Sequence, residues 1–116
     1  LGELPVIVCL TPEQIPSLIE TLKITQPVGV HLVGPRGMLP GLDNKNLTGR
    51  LYGPAIFPFM LKAAQSLIQA DLKVIADGGV YVNWQAQALI GNGVTAVGLG
   101  SVLWGIEPEA LFSNSQ

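Results

Sequence analysis

Two short apolar runs in the last third of the chain, each followed by glycine, constrain the fold more than any other feature of the sequence. Residues 73–80 read KVIADGGV, and residues 94–103 read VTAVGLGSVL. Such short, continuous runs are typical of parallel strands that are buried on both faces. Glycine after a strand lets the backbone turn sharply and bring its N–H groups close to a phosphate. The pattern therefore predicts two neighbouring parallel strands with a phosphate site at their carboxyl ends.

The rest of the sequence places further strands and helices before and between these runs. We predict strands over four apolar segments, at residues 5–10, 28–33, 73–77 and 95–99. Apolar residues that recur every three or four positions predict helices over residues 12–24 and 54–69. Residues 82–90, which end at Gly91-Asn92-Gly93, and residues 108–112 are also predicted to be helical. Thr11 and Pro12 suit the N-cap and first turn of the first helix. Residues 34–53, rich in glycine and proline, are predicted to form a long irregular loop.

This order of elements indicates repeated βα units. Such units require a parallel sheet with right-handed crossovers. We predict that residues 1–116 form a single (βα)4 unit of the α/β class. A complete eight-stranded TIM barrel takes about 250 residues, so the unit would be half of one. The alternative is a small, open, doubly wound sheet.

The composition suggests that the chain covers part of its surface with another polypeptide. Apolar residues make up 48% of the sequence and charged residues only 12%, whereas globular domains average about 25% charged residues. Four parallel strands alone also leave two open edges and an apolar face. We therefore expect the chain to pair with a missing N-terminal half-barrel or with a second copy of itself.

Several classes of partner and site are not expected. A net charge of −2, with six scattered Lys and Arg, offers no basic surface for nucleic acid. No apolar run reaches the roughly 18 residues that cross a membrane. Cys9, the single cysteine, excludes an internal disulfide and is compatible with a reducing, cytoplasmic location. No Cys or His pair has the spacing of metal ligands, so no metal site is predicted.

The glycine turns supply the candidate binding residues. Gly78, Gly79 and Gly100 would direct backbone N–H groups at a phosphate, and Ser101 would add a hydroxyl donor. The alternative is that these glycines only permit tight turns between strand and helix. Two such turns after adjacent strands favour the phosphate site.

Five other side chains could carry chemistry, each with a structural alternative. Asp77, at the end of a strand, suits an acid, a base or an acceptor for a ribityl hydroxyl, but also a helix cap or a loop hydrogen bond. His31 and Cys9 lie within strands, where a packed histidine and a buried, inert thiol are the commoner cases. Arg36 or Arg50 could hold an anion, although a solvated polar loop is the simpler interpretation. No catalytic residue is assigned.

Residues 48–58, TGRLYGPAIFP, resemble the flavin-contacting segment of dihydroorotate dehydrogenases. In that family a Gly-Gly-(Leu/Tyr)-Ser-Gly-Pro-Ala motif opens a helix with the same apolar spacing. Residues 5–12, PVIVCLTP, resemble the family's preceding P-(I/V)-x-V-K-L-(S/T)-P strand. The two glycine turns resemble its two flavin-phosphate turns, in the same order along the chain.

The resemblance implies an FMN-binding (β/α)8 barrel of which this chain is the C-terminal half. It also implies a flavoprotein oxidoreductase of dihydroorotate dehydrogenase type. The cofactor-binding residues would then be Gly53, Gly78, Gly79, Gly100 and Ser101. The substrate and the electron acceptor remain open.

The chain departs from the family pattern at positions whose side chains, in that family, contact the substrate and the flavin. The family's strand lysine is Cys9, its Asn-Thr pair is Gly34-Pro35, and its motif serine is Tyr52. The family's catalytic Cys or Ser base lies N-terminal to the present sequence. An alternative function is therefore a non-catalytic, barrel-derived module for assembly or for binding a phosphate ligand.

Overall fold

A four-stranded parallel sheet forms the centre of the computed structural model, which describes residues 4–100. The strands lie in the order β1-β2-β5-β6, and every neighbouring pair is parallel. Their bounds are β1 Ile7–Leu10, β2 Gly29–Val33, β5 Val74–Asp77 and β6 Ala96–Gly98. All four predicted strands are confirmed, each shorter than its apolar run.

Three helices connect these strands, as predicted: α1 Ile15–Thr25, α2 Phe57–Gln69 and α3 Asn83–Gly91. A 3-10 turn that begins with proline precedes both α1 and α2, because proline fixes φ at a value suited to a first helical turn. Thr11 lies at the N-cap before α1, and its N–H donates to Gln14 Oε1 at 2.9 Å. The predicted helix at residues 108–112 lies outside the described residues.

The sheet is covered by helices on one face. The four parallel strands follow each other in chain order, so right-handed crossovers carry every helix to the same side. Val30, Leu32, Val74 and Ala76 point to that side and are fully buried among residues of all three helices. A doubly wound sheet reverses its strand order and has helices on both faces, so that alternative is wrong. The fold is that of part of a TIM barrel, and the described residues form no closed barrel.

The segment at residues 34–53, predicted as irregular, contains an antiparallel hairpin. Its strands are β3 Arg36–Pro40 and β4 Asn46–Arg50, with Gly37 opposite Gly49. Glycine and proline argue against strands by propensity, but the ladder here depends on backbone groups and on Asn44, whose φ of 57° helps make the turn. Asn adopts this left-handed conformation more easily than most residues.

The hairpin carries apolar side chains that the described part of the chain leaves exposed. Met38 and Leu39 on β3 are 61% and 68% exposed, and Leu47 on β4 is 65% exposed. Strands normally bury one face, yet here side chains on both faces of the ladder remain in solvent. No alternation of apolar and polar residues in this segment indicates such an arrangement.

The second face of the parallel sheet is open within residues 4–100. Ile7, Cys9, His31 and Ile75 lie on it, and the last three occupy one row across β1, β2 and β5. Ile7 is 56% exposed and the Cys9 thiol is exposed. The expectation of a buried Cys9 is wrong because successive residues of a strand point to opposite faces, and the face of Cys9 has no covering element.

We expect Leu67→Ala to lower the free energy of unfolding by about 2–5 kcal/mol. Leu67 is fully buried between α2 and the sheet, so its removal leaves a cavity. Phe59→Ala on the same helix is the matched control, because Phe59 is 63% exposed and its truncation should cost less than about 1 kcal/mol. Urea unfolding measures both, and equal losses would contradict the packing described here.

Candidate functional site

A cleft of about 340 Å³ opens at the carboxyl ends of β5 and β6. Parallel α/β folds bind their ligands at this end of the sheet, because the loops that follow the strands converge there. The cleft is formed by the two glycine turns and by the end of the hairpin with the residues after it. Its lining is Gly34, Arg50, Leu51, Tyr52, Asp77, Gly78, Gly79, Val80, Tyr81, Gly98, Leu99 and Gly100.

The turn after β5 needs its glycines for packing as well as for conformation. Gly78 and Gly79 have φ of 136° and 81°, a region that side chains disfavour. A Cβ on Gly79 would lie 3.0 Å from the backbone N and Cα of Phe57, so the turn fits tightly against the start of α2. The tight-turn interpretation is therefore correct for Gly79, whatever the cleft binds.

The other predicted binding residues have different surroundings. Gly100 lines the cleft, and a Cβ on it would meet nothing within 4 Å. Gly53 has a φ of 117° and precedes the 3-10 turn before α2, but it is not among the lining residues, whereas its neighbour Tyr52 is. Ser101 lies outside the described residues. The cleft thus brings together Gly78, Gly79 and Gly100.

Gln85 anchors the loop that follows the glycine turn. Its side chain is buried, and its Oε1 accepts hydrogen bonds from the N–H groups of Tyr81 at 2.7 Å and Val82 at 3.2 Å. Val80 is buried beside them. The loop is therefore held in shape by the protein itself, which lowers the entropy cost of binding a ligand. Sequence analysis missed Gln85, although Gln near the start of a helix is a known capping signal.

Asp77 and His31 interact on the open face of the sheet, directly below the cleft. His31 Nε2 lies 3.1 Å from Asp77 Oδ2, and the Nε2–H tautomer donates to this carboxylate. The two side chains are 36% and 40% exposed. A Cβ on Gly98 would lie 2.8 Å from Asp77 Cγ, so glycine at that position makes room for the carboxylate. His31 is hydrogen-bonded, as expected, but it lies outside the core.

Arg50 contributes a cation to the cleft, and Arg36 lies directly opposite it in the hairpin. The aliphatic part of Arg50 packs over Gly34, where an added Cβ would lie 3.3 Å from Arg50 Cγ and 2.8 Å from the Leu51 carbonyl oxygen. Gly34 therefore leaves the space that the Arg50 side chain occupies. Arg50 is exposed and lines the cleft, whereas Arg36, also exposed, is not among the lining residues, so both the anion-binding interpretation and that of a solvated polar segment stay predictions.

No three His, Cys, Asp or Glu side chains in residues 4–100 lie close enough together to hold a metal ion.

No helix in the described part of the chain is long and apolar enough to cross a membrane.

Comparisons with known proteins follow the resemblance seen in the sequence. No protein-family model matches the chain. The catalytic subunit of dihydroorotate dehydrogenase B (NAD(+)) from Streptococcus pneumoniae (strain ATCC BAA-255 / R6) is 34% identical over 112 residues, a match that covers 86% of this chain. This chain is similar in sequence to a dihydroorotate dehydrogenase. It spans only about a third of that subunit, 35% of its length.

Solved structures support the same fold. A crystal structure of dihydroorotate dehydrogenase (DHODH) from Eimeria tenella in complex with ferulenol superposes with a TM-score of 0.67 at 18% identity, covering 84% of this chain and 29% of that one. The ligand-free type of DHODH from Eimeria tenella gives a TM-score of 0.65 at 18% identity, over 84% of this chain and 30% of that one. At this identity the likeness shows the fold, and the resemblance to the DHODH barrel predicted from sequence is confirmed.

We expect Gly79→Ala to lower the free energy of unfolding by about 2–4 kcal/mol, because it adds backbone strain and a contact with Phe57 that cannot relax cheaply. Gly91→Ala is the control. Gly91 ends α3, and a Cβ there meets nothing within 4 Å, so this change should be neutral or stabilising by up to about 1 kcal/mol. Similar losses in the two variants would show that the turn does not pack as described.

Proposed function

We propose that the chain is the C-terminal half of a dihydroorotate dehydrogenase-like flavoprotein oxidoreductase and that its cleft holds the phosphate end of FMN. One observation carries the proposal: the glycine turns after β5 and β6, which are neighbours in the sheet, line a single cleft. Paired turns at the ends of adjacent barrel strands are a recurrent phosphate site. The type of enzyme is inferred from the similarity to the catalytic subunit of dihydroorotate dehydrogenase B.

The residues of the cleft fit a phosphate-bearing cofactor. The backbone at Gly78, Gly79 and Gly100 offers N–H groups without side chains in the way, and the guanidinium of Arg50 adds positive charge. The volume of about 340 Å³ lies at the small end of ligand pockets, which run from about 300 to 1,000 Å³. It suits one end of a nucleotide-sized cofactor.

In this proposal the chain binds and orients the cofactor rather than performing the chemistry. FMN, when bound, supplies the capacity for hydride transfer. The turn held by Gln85 fixes the phosphate end. Asp77 lines the cleft and is hydrogen-bonded to His31 on the open face of the sheet, so its carboxylate is held in place as a candidate acceptor for a ligand hydroxyl. We assign no catalytic base within this chain, and the substrate and electron acceptor stay open.

A second candidate function is a non-catalytic module that binds a phosphate ligand or serves in assembly. The packing of Arg50 over Gly34 favours this second function. The Arg50 side chain lies over the position where the family pattern has an Asn that contacts the ligand. The replacements at Cys9 and Tyr52 favour it as well. Flavin-dependent oxidation of a dihydropyrimidine or NAD(P)H by the assembled protein would contradict this function, and FMN binding without any turnover would support it.

We also propose that a missing N-terminal half-barrel, or a second copy of this chain, covers the open face and the outer edges of β1 and β6. The cytoplasmic location inferred from the cysteine count stays a prediction, as does the extent of the unit over residues 1–116.

We expect the protein to bind FMN at least tenfold more tightly than riboflavin. Riboflavin lacks the phosphate, and each charge-assisted hydrogen bond to a phosphate is worth about 1.5–3 kcal/mol. Quenching of flavin fluorescence during titration measures both affinities. Equal affinity for the two flavins would contradict a phosphate site in the cleft, and the absence of any flavin binding would contradict the cofactor.

We expect the chain to sediment as a dimer or, when co-expressed with the remaining half of its barrel, as a stable complex. The open sheet face and edges cost free energy while they remain in water. Analytical ultracentrifugation measures the assembled mass. A compact monomer at micromolar concentration would contradict the need for a partner.

A further inference from the structure

Two arginines face each other at the end of the hairpin nearest the cleft. Arg36 on β3 and Arg50 on β4 are directly paired in the antiparallel ladder. The Leu51 N–H donates to the Pro35 carbonyl at 2.8 Å, one position before this pair. Because hydrogen-bonded and non-hydrogen-bonded pairs alternate, Arg36 and Arg50 form a non-hydrogen-bonded pair, the type with Cα atoms only about 4.5 Å apart. Their side chains leave the same face of the hairpin.

This pairing is unfavourable unless an anion lies nearby. Like charges directly opposite each other destabilise a strand pair. The ion pairs in the described part of the chain are Lys23–Glu20 and His31–Asp77, so neither arginine is neutralised by a carboxylate there. Two arginines that are paired across the ladder, with no acidic partner among the described residues, can together bind an external anion.

The packing of Arg50 directs this positive charge toward the glycine turns. Its aliphatic part lies over Gly34, and Arg50 lines the same cleft as Gly78, Gly79 and Gly100. The other charged group of the cleft is the Asp77 carboxylate, which is hydrogen-bonded to His31. An anion in the cleft would therefore meet one carboxylate and the Arg50 guanidinium, and Arg36, paired with Arg50 beside the cleft, would add a second positive charge.

We propose that Arg36 and Arg50 form an arginine clamp that selects a dianionic phosphate ester at this cleft. Each guanidinium can donate two parallel hydrogen bonds to phosphate oxygens, and two of them match a doubly charged group better than a singly charged carboxylate. The identity of the ester as FMN rests on the function proposed above, whereas the clamp itself rests on the hairpin and the cleft.

The test measures binding of FMN, riboflavin and inorganic phosphate to the full chain and to Arg36→Gln, Arg50→Gln and Lys45→Gln. Lys45 precedes β4 at the far end of the hairpin and is exposed, so its variant removes the same charge away from the cleft. We expect Arg50→Gln to weaken FMN binding about tenfold or more, and Arg36→Gln about three- to tenfold. Lys45→Gln should change it less than twofold, and riboflavin binding should not change in any variant.

A second readout separates the clamp from a structural role. Without ligand, Arg36→Gln should raise the melting temperature or leave it unchanged, because it removes repulsion within the ladder. Saturating inorganic phosphate should stabilise the wild-type chain and should stabilise Arg36→Gln and Arg50→Gln much less. A residue that only supports the hairpin would lower both stability and binding.

The outcomes distinguish the clamp from the cofactor. If FMN binds equally well to Arg50→Gln and Lys45→Gln, the clamp is wrong while the FMN site stands. If FMN does not bind but inorganic phosphate binds in an arginine-dependent way, the clamp stands and the proposed cofactor is wrong. If neither anion binds the wild-type chain, both proposals fail.

Discussion

The covering of the parallel sheet on one face only is the constraint on which the rest of the structure depends. Strand order follows chain order, and with right-handed crossovers this places α1, α2 and α3 on a single side. The core lies between those helices and the sheet. The opposite face carries Cys9, His31 and Ile75 into solvent. In a closed barrel that face would be the interior.

The cleft exists because three segments are packed against one another by residues that lack side chains. Gly79 lets the turn after β5 meet the start of α2, Gly34 lets Arg50 and Leu51 cross the end of β2, and Gly98 makes room for Asp77. Each glycine removes a collision between backbone and neighbour rather than simply adding flexibility. Gly34, Gly79 and Gly98 therefore serve the packing of this region, and all three also line the cleft.

The relation to dihydroorotate dehydrogenases therefore concerns the backbone of the site more than its side chains. The glycine turns and the helix opened by Gly53-Pro54 match the family pattern, whereas Cys9, Gly34, Pro35 and Tyr52 depart from it. Arg50 stands at the second glycine of the family's Gly-Gly-(Leu/Tyr)-Ser-Gly-Pro-Ala motif. Its side chain packs over Gly34, the position of the Asn in the family's Asn-Thr pair. The two replacements lie next to each other in space, because a Cβ at Gly34 would lie 3.3 Å from Arg50 Cγ.

Apolar periodicity was sufficient to predict the strands, the helices and the parallel sheet, because burial on the helical face requires those patterns. It failed for the hairpin, whose ladder depends on backbone hydrogen bonds and whose Gly37, Gly49 and Pro40 give no strand signal. It also failed for Cys9, since the run PVIVCL is apolar on both faces and does not reveal which face is covered. The position of Arg50 in the cleft depends on the register of the hairpin, which no local pattern specifies.

Hydrogen–deuterium exchange of the full chain with and without FMN tests most directly whether the glycine cleft is the cofactor site. If the cleft binds FMN, peptides that cover residues 77–82 and 96–100 will exchange more slowly when FMN is present. Peptides at the opposite end of the sheet, over residues 23–28 and 70–73, should exchange at an unchanged rate. Slower exchange at that opposite end alone, or no change at the glycine turns when FMN is bound, would contradict FMN binding in the cleft.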